Sequence, residues 1–105
     1  VIASWANKKE KDTPFIYSPS LSEGFPSRER ILTLYDEKSE LNLDDIEFYV
    51  RLSFWKHAMI MEGVYVRYSL GYYGNVDKKE VEAFGESTLS FAQKASAKNL
   101  LKEIF

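Results

Sequence analysis

No cysteine occurs among the 105 residues, which removes disulfides, thiolate zinc sites and a cysteine nucleophile together. Histidine occurs once, as His57, so a paired-histidine metal site is also out of reach. No apolar run approaches the roughly 18 residues that a membrane span needs, and no stretch resembles a signal peptide. Charge of a single sign is scarce as well. Fourteen basic and sixteen acidic side chains leave a net charge of −2, and the densest block, Lys8-Lys9-Glu10-Lys11-Asp12, is mixed. That balance offers no electrostatic footprint for nucleic acid and no polybasic membrane anchor. The expectation is a cytoplasmic protein with neither nucleic-acid nor membrane partners.

Phosphate loops and nucleophile elbows are missing too: there is no G-x-G-x-x-G, no Walker sequence and no G-x-S-x-G. The acidic pairs Asp36/Glu37 and Asp44/Asp45 stand where helix termini favour negative charge, without the D-x-D-x-D-G pattern of a calcium loop. His57 has Met61 at i+4 rather than a second ligand, which makes it a packed structural histidine. By its own residues the chain holds no catalytic group, no metal and no cofactor.

What is present is apolar and aromatic: 45% hydrophobic and 15% aromatic residues, enough for a packed core. Prolines are confined to Pro14, Pro19 and Pro26, so a connector of residues 7–26 is expected, pinned by Phe15, Tyr17 and Phe25. Before it, Val1-Ile2-Ala3-Ser4-Trp5-Ala6 has no cap and no charged lead-in. It reads as the last two turns of a buried helix, cut from something longer. A short helix is expected over 27–38, with Ile31, Leu34 and Tyr35 at i, i+3, i+4 spacing.

Residues 44–70 carry no helix breaker except Gly63, and Asp44-Asp45-Ile46-Glu47 resembles a capping box. Their apolar residues cover most of the circumference: Phe48, Leu52, Trp55 and Met59 on one side, Phe54, Ala58, Met61 and Tyr65 on another. A helix apolar all round is surrounded by protein. Narrow polar lines interrupt it, with Arg51, Glu62 and Ser69 on one and Lys56, Gly63 and Arg67 on the other, beside Tyr49. Gly63 is a place where a neighbouring helix could come close. The tyrosines Tyr65, Tyr68, Tyr72 and Tyr73 are assigned to core packing.

Gly71-Tyr72-Tyr73-Gly74 forms a turn, and Asp77 opens a final helix over 78–103. Val81, Phe84, Thr88, Phe91 and Ala95 make its stripe. Leu100 and Ile104 fall a quarter turn or more off that line, so the helix bends, frays or serves two contacts near its end. The fold class is all-α: a small helical bundle around one long central helix, in a single unit of residues 1–105.

One stretch has a family look. Gly24-Phe25-Pro26-Ser27-Arg28 leads to Tyr35, then to Phe48-Tyr49, to Phe54-Trp55-Lys56-His57-Ala58, and to Glu62-Gly63-Val64-Tyr65-Val66-Arg67-Tyr68. This resembles the C-terminal helices of the aminoglycoside phosphotransferase/choline kinase-like superfamily, above all the branch found fused to acyl-CoA dehydrogenases. That branch typically reads G-x-P-S-R…Y…FY…F-[RK]-x-A…Q-G-[IV]-Y-x-R-Y. The likeness covers residues 24–70. Glu62 departs from the usual glutamine, and Trp55 stands where phenylalanine is commoner.

The resemblance implies a protein-kinase-like fold whose N-terminal lobes, with the magnesium–ATP site, lie upstream and would be this chain's partners. It also implies that these helices wall the cleft of a small-molecule acceptor, an amino-alcohol, a sugar or a hydroxyacyl compound. Trp5, Tyr49, Lys56 and Tyr65 are the substrate-cleft candidates, and the chain alone should be inert. The competing expectation is a free-standing interaction module without enzymatic activity, which would seat a partner or form a homodimer through the apolar faces of the long helix.

Overall fold

The computed structural model describes residues 2–8, 10 and 18–105, and among them the chain is all-helical, with no strand. A 3₁₀ turn, Pro19–Leu21, precedes four α-helices: α1 (Arg28–Lys38), α2 (Ile46–Ser69), α3 (Lys78–Ser96) and α4 (Leu100–Ile104). The long helix is α2, and α3 runs back along it. No described helix is long and apolar enough to cross a membrane.

The hairpin between α2 and α3 follows from its terminators. The Tyr72 amide donates to the Arg67 carbonyl and the Gly71 amide to Tyr68, with Gly71 at φ +79°. These are the paired bonds of a Schellman motif, which needs a residue at ease in the left-handed region. Asp77 then caps α3 by accepting from the Lys79 amide at 3.0 Å. The other acidic start behaves differently. Neither Asp44 nor Asp45 caps α2 with its side chain, so the expected capping box is absent. Asn42 takes the Asp44 amide instead, and Glu47 pairs with Arg51 one turn on.

The core sits where α2, α3 and α4 meet: Val50, Phe54, Ala58, Phe91, Leu100 and Ile104 are buried together with Ala3. On α3, Phe91 is buried and Val81, Phe84, Thr88 and Ala95 are half-buried, as their stripe predicts. The single final helix expected over 78–103 is two helices. Arg51 from α2 donates through Nη1 to the carbonyls of Ala95 (2.7 Å) and Ala97 (2.8 Å), where α3 ends. Ala97 is extended, and the chain restarts as α4 in a rotation that sends Leu100 and Ile104 inward. Their off-stripe positions thus come from a break.

The opening residues also differ from the expectation. Residues 2–5 form turns, tied by a Trp5 amide to Ile2 carbonyl bond of 3.3 Å, not the last turns of a helix. Their carbonyls face side chains elsewhere in the chain: Ile2 and Ala3 accept from Arg28, and Ala6 from Ser20. Of the connector's expected anchors, Phe25 packs on Trp5, whereas Pro14, Phe15 and Tyr17 lie outside the described residues, as does Val1.

The close approach of α2 and α3 is at Gly85, not Gly63. A Cβ at Gly85 would meet the Tyr65 ring at 3.1 Å, while one at Gly63 would reach only the Arg67 guanidinium at 3.6 Å. Tyr68 stacks on Phe84 and touches Tyr73, but Tyr72 and Tyr73 are largely exposed, so the assignment of both to the core does not hold. Nor is α2 enclosed by the described residues. Phe48, Leu52, Trp55 and Met59, expected against protein, lie on the surface, at 62% and 54% exposure for Phe48 and Trp55. The described partners of α2 cover only its other side.

Candidate functional site

Two features concentrate polar chemistry or open space, and they use different residues. The first is a groove of about 550 Å³ between α1 and the first turns of α2. Ile31, Leu32 and Tyr35 form one wall, and Ile46, Tyr49 and Ser53 the other, with Ile2 and Ala3 at the base. The groove exists because α1 stands off from α2, which packs closely on α3 and α4 instead. Its lining is mostly apolar. Asn42 at one end is committed to Asp44 by two bonds of 2.8 and 2.9 Å. The Tyr35 and Tyr49 hydroxyls make no hydrogen bond among the described residues. No charged side chain lines the groove. Such a trough can hold an apolar body and orient one polar group against a phenol; it cannot transfer a proton to order.

The second feature is a buried clamp around Arg28, the last residue of the stretch 24–28. Ser27 caps α1 by accepting from the Arg30 amide at 3.2 Å, which places Arg28 in the first turn. From there its guanidinium, fully buried, donates to the carbonyls of Ile2 (2.9 Å), Ile104 (3.0 Å) and Ala3 (3.4 Å) and to the Glu10 carboxylate (2.8 Å). Burial pushes the Arg28 pKa down, and the Glu10 charge and hydrogen bond, with Glu29 beyond, pull it back up. The second Glu10 oxygen has Lys94 Nζ at 3.0 Å without the alignment of a hydrogen bond, so charge alone holds it. Asn7 completes the cluster, donating to the Ile104 carbonyl at 3.1 Å. Every polar group of the clamp is spent on the chain itself, which makes it structural.

The four residues expected in the cleft do not converge. Tyr49 alone lines the groove. Trp5 donates from its indole to the Pro26 carbonyl at 2.7 Å and packs on Phe25, bracing the turn before α1. Lys56 is exposed two turns beyond Tyr49 on the same side of α2 and makes no ion pair among the described residues. Tyr65 is on the opposite side, packed over Gly85. His57 is structural: Nδ1 lies 2.7 Å from the Ser53 carbonyl, Nε2 3.2 Å from the Ser4 hydroxyl, and the ring stacks on Phe91. Among the described residues no group of three carboxylates or histidines converges as a divalent cation requires.

No known protein family, curated protein or solved structure gives a significant match to the chain.

Proposed function

We propose that this chain is the C-terminal helical part of an ATP-dependent small-molecule phosphotransferase, with the α1–α2 groove as part of its acceptor wall. The observation that carries the reading is the groove itself: an open, largely apolar trough with Tyr49 on its wall and no catalytic group of its own. Such a surface binds and orients while another part of the protein supplies the chemistry, which is how phosphoryl transfer divides its labour. The lining favours one acceptor class of the three. An amino-alcohol calls for a carboxylate or an aromatic cage and a sugar for several polar partners, whereas a hydroxyacyl compound needs an apolar channel with one hydrogen-bonding group.

The roles of residues 24–28 support the resemblance from a different side. Gly24 has φ +93°, the Pro26 carbonyl holds Trp5, Ser27 caps α1, and Arg28 ties the opening residues to α4. The Gly, Ser and Arg of G-x-P-S-R thereby have a physical reason for their residue type, while the Pro26 carbonyl is a backbone contact. A second reading rests on the bare face of α2, which suits an interaction or dimerisation module without enzymatic activity.

The test is ADP release by the full-length gene product with magnesium, ATP and a panel of amino-alcohols, sugars and hydroxyacyl compounds. Turnover with the hydroxyacyl class is expected. Tyr49→Ala should raise the acceptor KM by about 10-fold with the KM for ATP unchanged, the signature of lost acceptor binding. The 105-residue chain alone should bind no ATP. Saturable magnesium–ATP binding by that chain would overturn the proposal, as would an acceptor KM indifferent to Tyr49.

A further inference from the structure

The exposed side of α2 is spaced like a coiled-coil seam. Phe48, Leu52, Trp55, Met59, Glu62 and Val66 follow one another at intervals of four, three, four, three and four residues, all on the outer side of the helix. Alternating steps of four and three are the pattern of a helix that packs lengthwise on another helix. From Phe48 to Val66 the seam runs about 27 Å along the axis. Five of its six positions are apolar, and four of these, Phe48, Leu52, Trp55 and Met59, are large side chains more than 40% exposed.

The charges decide what covers it. Glu62 is the one ionised group within the seam, and among the described residues it has no ion-pair partner. Arg51 borders the same side, three residues beyond Phe48. Its Nη1 holds the Ala95 and Ala97 carbonyls and its Nη2 reaches Glu47, which leaves the Nε hydrogen and one Nη2 hydrogen unspent. A second copy laid antiparallel, with the two-fold axis level with residue 57, opposes Phe48 to the partner's Val66 and Trp55 to the partner's Met59. Leu52 then lies level with the partner's Glu62, whose carboxylate is brought beside Arg51 on the shared flank. Symmetry makes each of these contacts twice. A parallel arrangement would instead stack Glu62 on Glu62 and align the two helix dipoles unfavourably.

We infer that this chain forms an antiparallel homodimer through α2, with the Phe48–Val66 seam as its core and two reciprocal Glu62–Arg51 pairs along one flank, one on either side of the two-fold axis. The inference deepens the second reading above and uses a different surface from the groove, so the oligomeric state tests it while ADP release tests the phosphotransferase reading separately.

Light scattering after gel filtration of the 105-residue chain should report a dimer at about 100 µM, and Trp55→Lys should report a monomer with unchanged helicity, a loss of at least about 100-fold in affinity. Glu62→Arg, which sets like charges at both of these contacts, should weaken the dimer by roughly 10-fold. The absence of cysteine allows a register test. Chains carrying Phe48→Cys and Val66→Cys, mixed and oxidised, should give the mixed disulfide and almost none of either symmetric one. A monomer at that concentration, a symmetric Phe48→Cys disulfide, or no cross-link in a dimeric sample would each overturn the inference.

Discussion

Replacing Arg28 by methionine is the sharpest test of how the bundle is held. Methionine keeps the length and apolar bulk of the arginine stem but removes the guanidinium. Four hydrogen bonds vanish, to Ile2, Ala3, Ile104 and Glu10. Two of those acceptors keep a second partner, since the Ile2 carbonyl still receives the Trp5 amide and the Ile104 carbonyl still receives Asn7. Ala3 and Glu10 carry the loss. Removing one member of a buried ion pair costs about 3–5 kcal/mol, and Lys94 beside Glu10 places this case at the lower end. The stranded carbonyl adds about 1 kcal/mol. A total near 4 kcal/mol is most of the roughly 5 kcal/mol at the low end for small domains.

Urea unfolding followed by far-ultraviolet ellipticity reads this directly. With a slope of about 1.3 kcal/mol per molar urea, the midpoint should fall by roughly 3 M. The mechanism makes a second demand. If the cost is the abandoned carboxylate, then Glu10→Leu in the Arg28→Met background should recover about 2 kcal/mol, because Lys94 can extend toward solvent. An Arg28→Met midpoint within about 0.7 M of the parent, or a double variant no better than the single one, would refute the reasoning.

At Gly85 the added methyl of alanine gains about 1 kcal/mol of helix propensity but forces the Tyr65 ring, 3.1 Å from the new Cβ, to shift. Gly85→Ala should therefore destabilise the parent by about 1 kcal/mol yet stabilise a Tyr65→Ala background by a similar amount, and thermal melts of the four proteins give the cycle. Asp77→Ala should cost about 1 kcal/mol because it removes a formed cap, whereas Asp45→Ala, which removes none, should stay within about 0.5 kcal/mol by the same melts.

The helical plan was written plainly in the sequence because long breaker-free segments and glycine turns are local signals. Asp77 fits that account: its D-x-x-E start forms a side-chain cap in the structure. The similar start at Asp44 does not, because Asn42 engages both the Asp44 carboxylate and the Asp44 amide that Glu47 would have to reach, and such competition shows only when the side chains are placed. That the close approach falls at Gly85, where Gly63 is the position the sequence suggests, has a related reason, since which glycine faces a neighbour depends on the rotation of two helices about each other. Arg28 carries a signal of its own in the sequence. A cation in the first turn opposes the helix dipole, and a local rule broken at a helix start points to a compensation elsewhere, here four buried acceptors. The cleft candidates were chosen by residue type. Two of them, Trp5 and Tyr65, have ring contacts within the chain that no spacing argument could reveal.

The clamp has a consequence for the order in which the fold assembles. The α2–α3 hairpin joins neighbours in sequence across a tight turn and can form early, as local contacts do. Arg28, by contrast, bonds Ile104 at a sequence separation of 76, and Asn7 bonds it at a separation of 97. These bonds close only after both distant segments have come to the hairpin, so the clamp is absent from an early transition state. It then acts as a latch on the finished structure: it sets how slowly the bundle opens and leaves the speed of closing almost untouched.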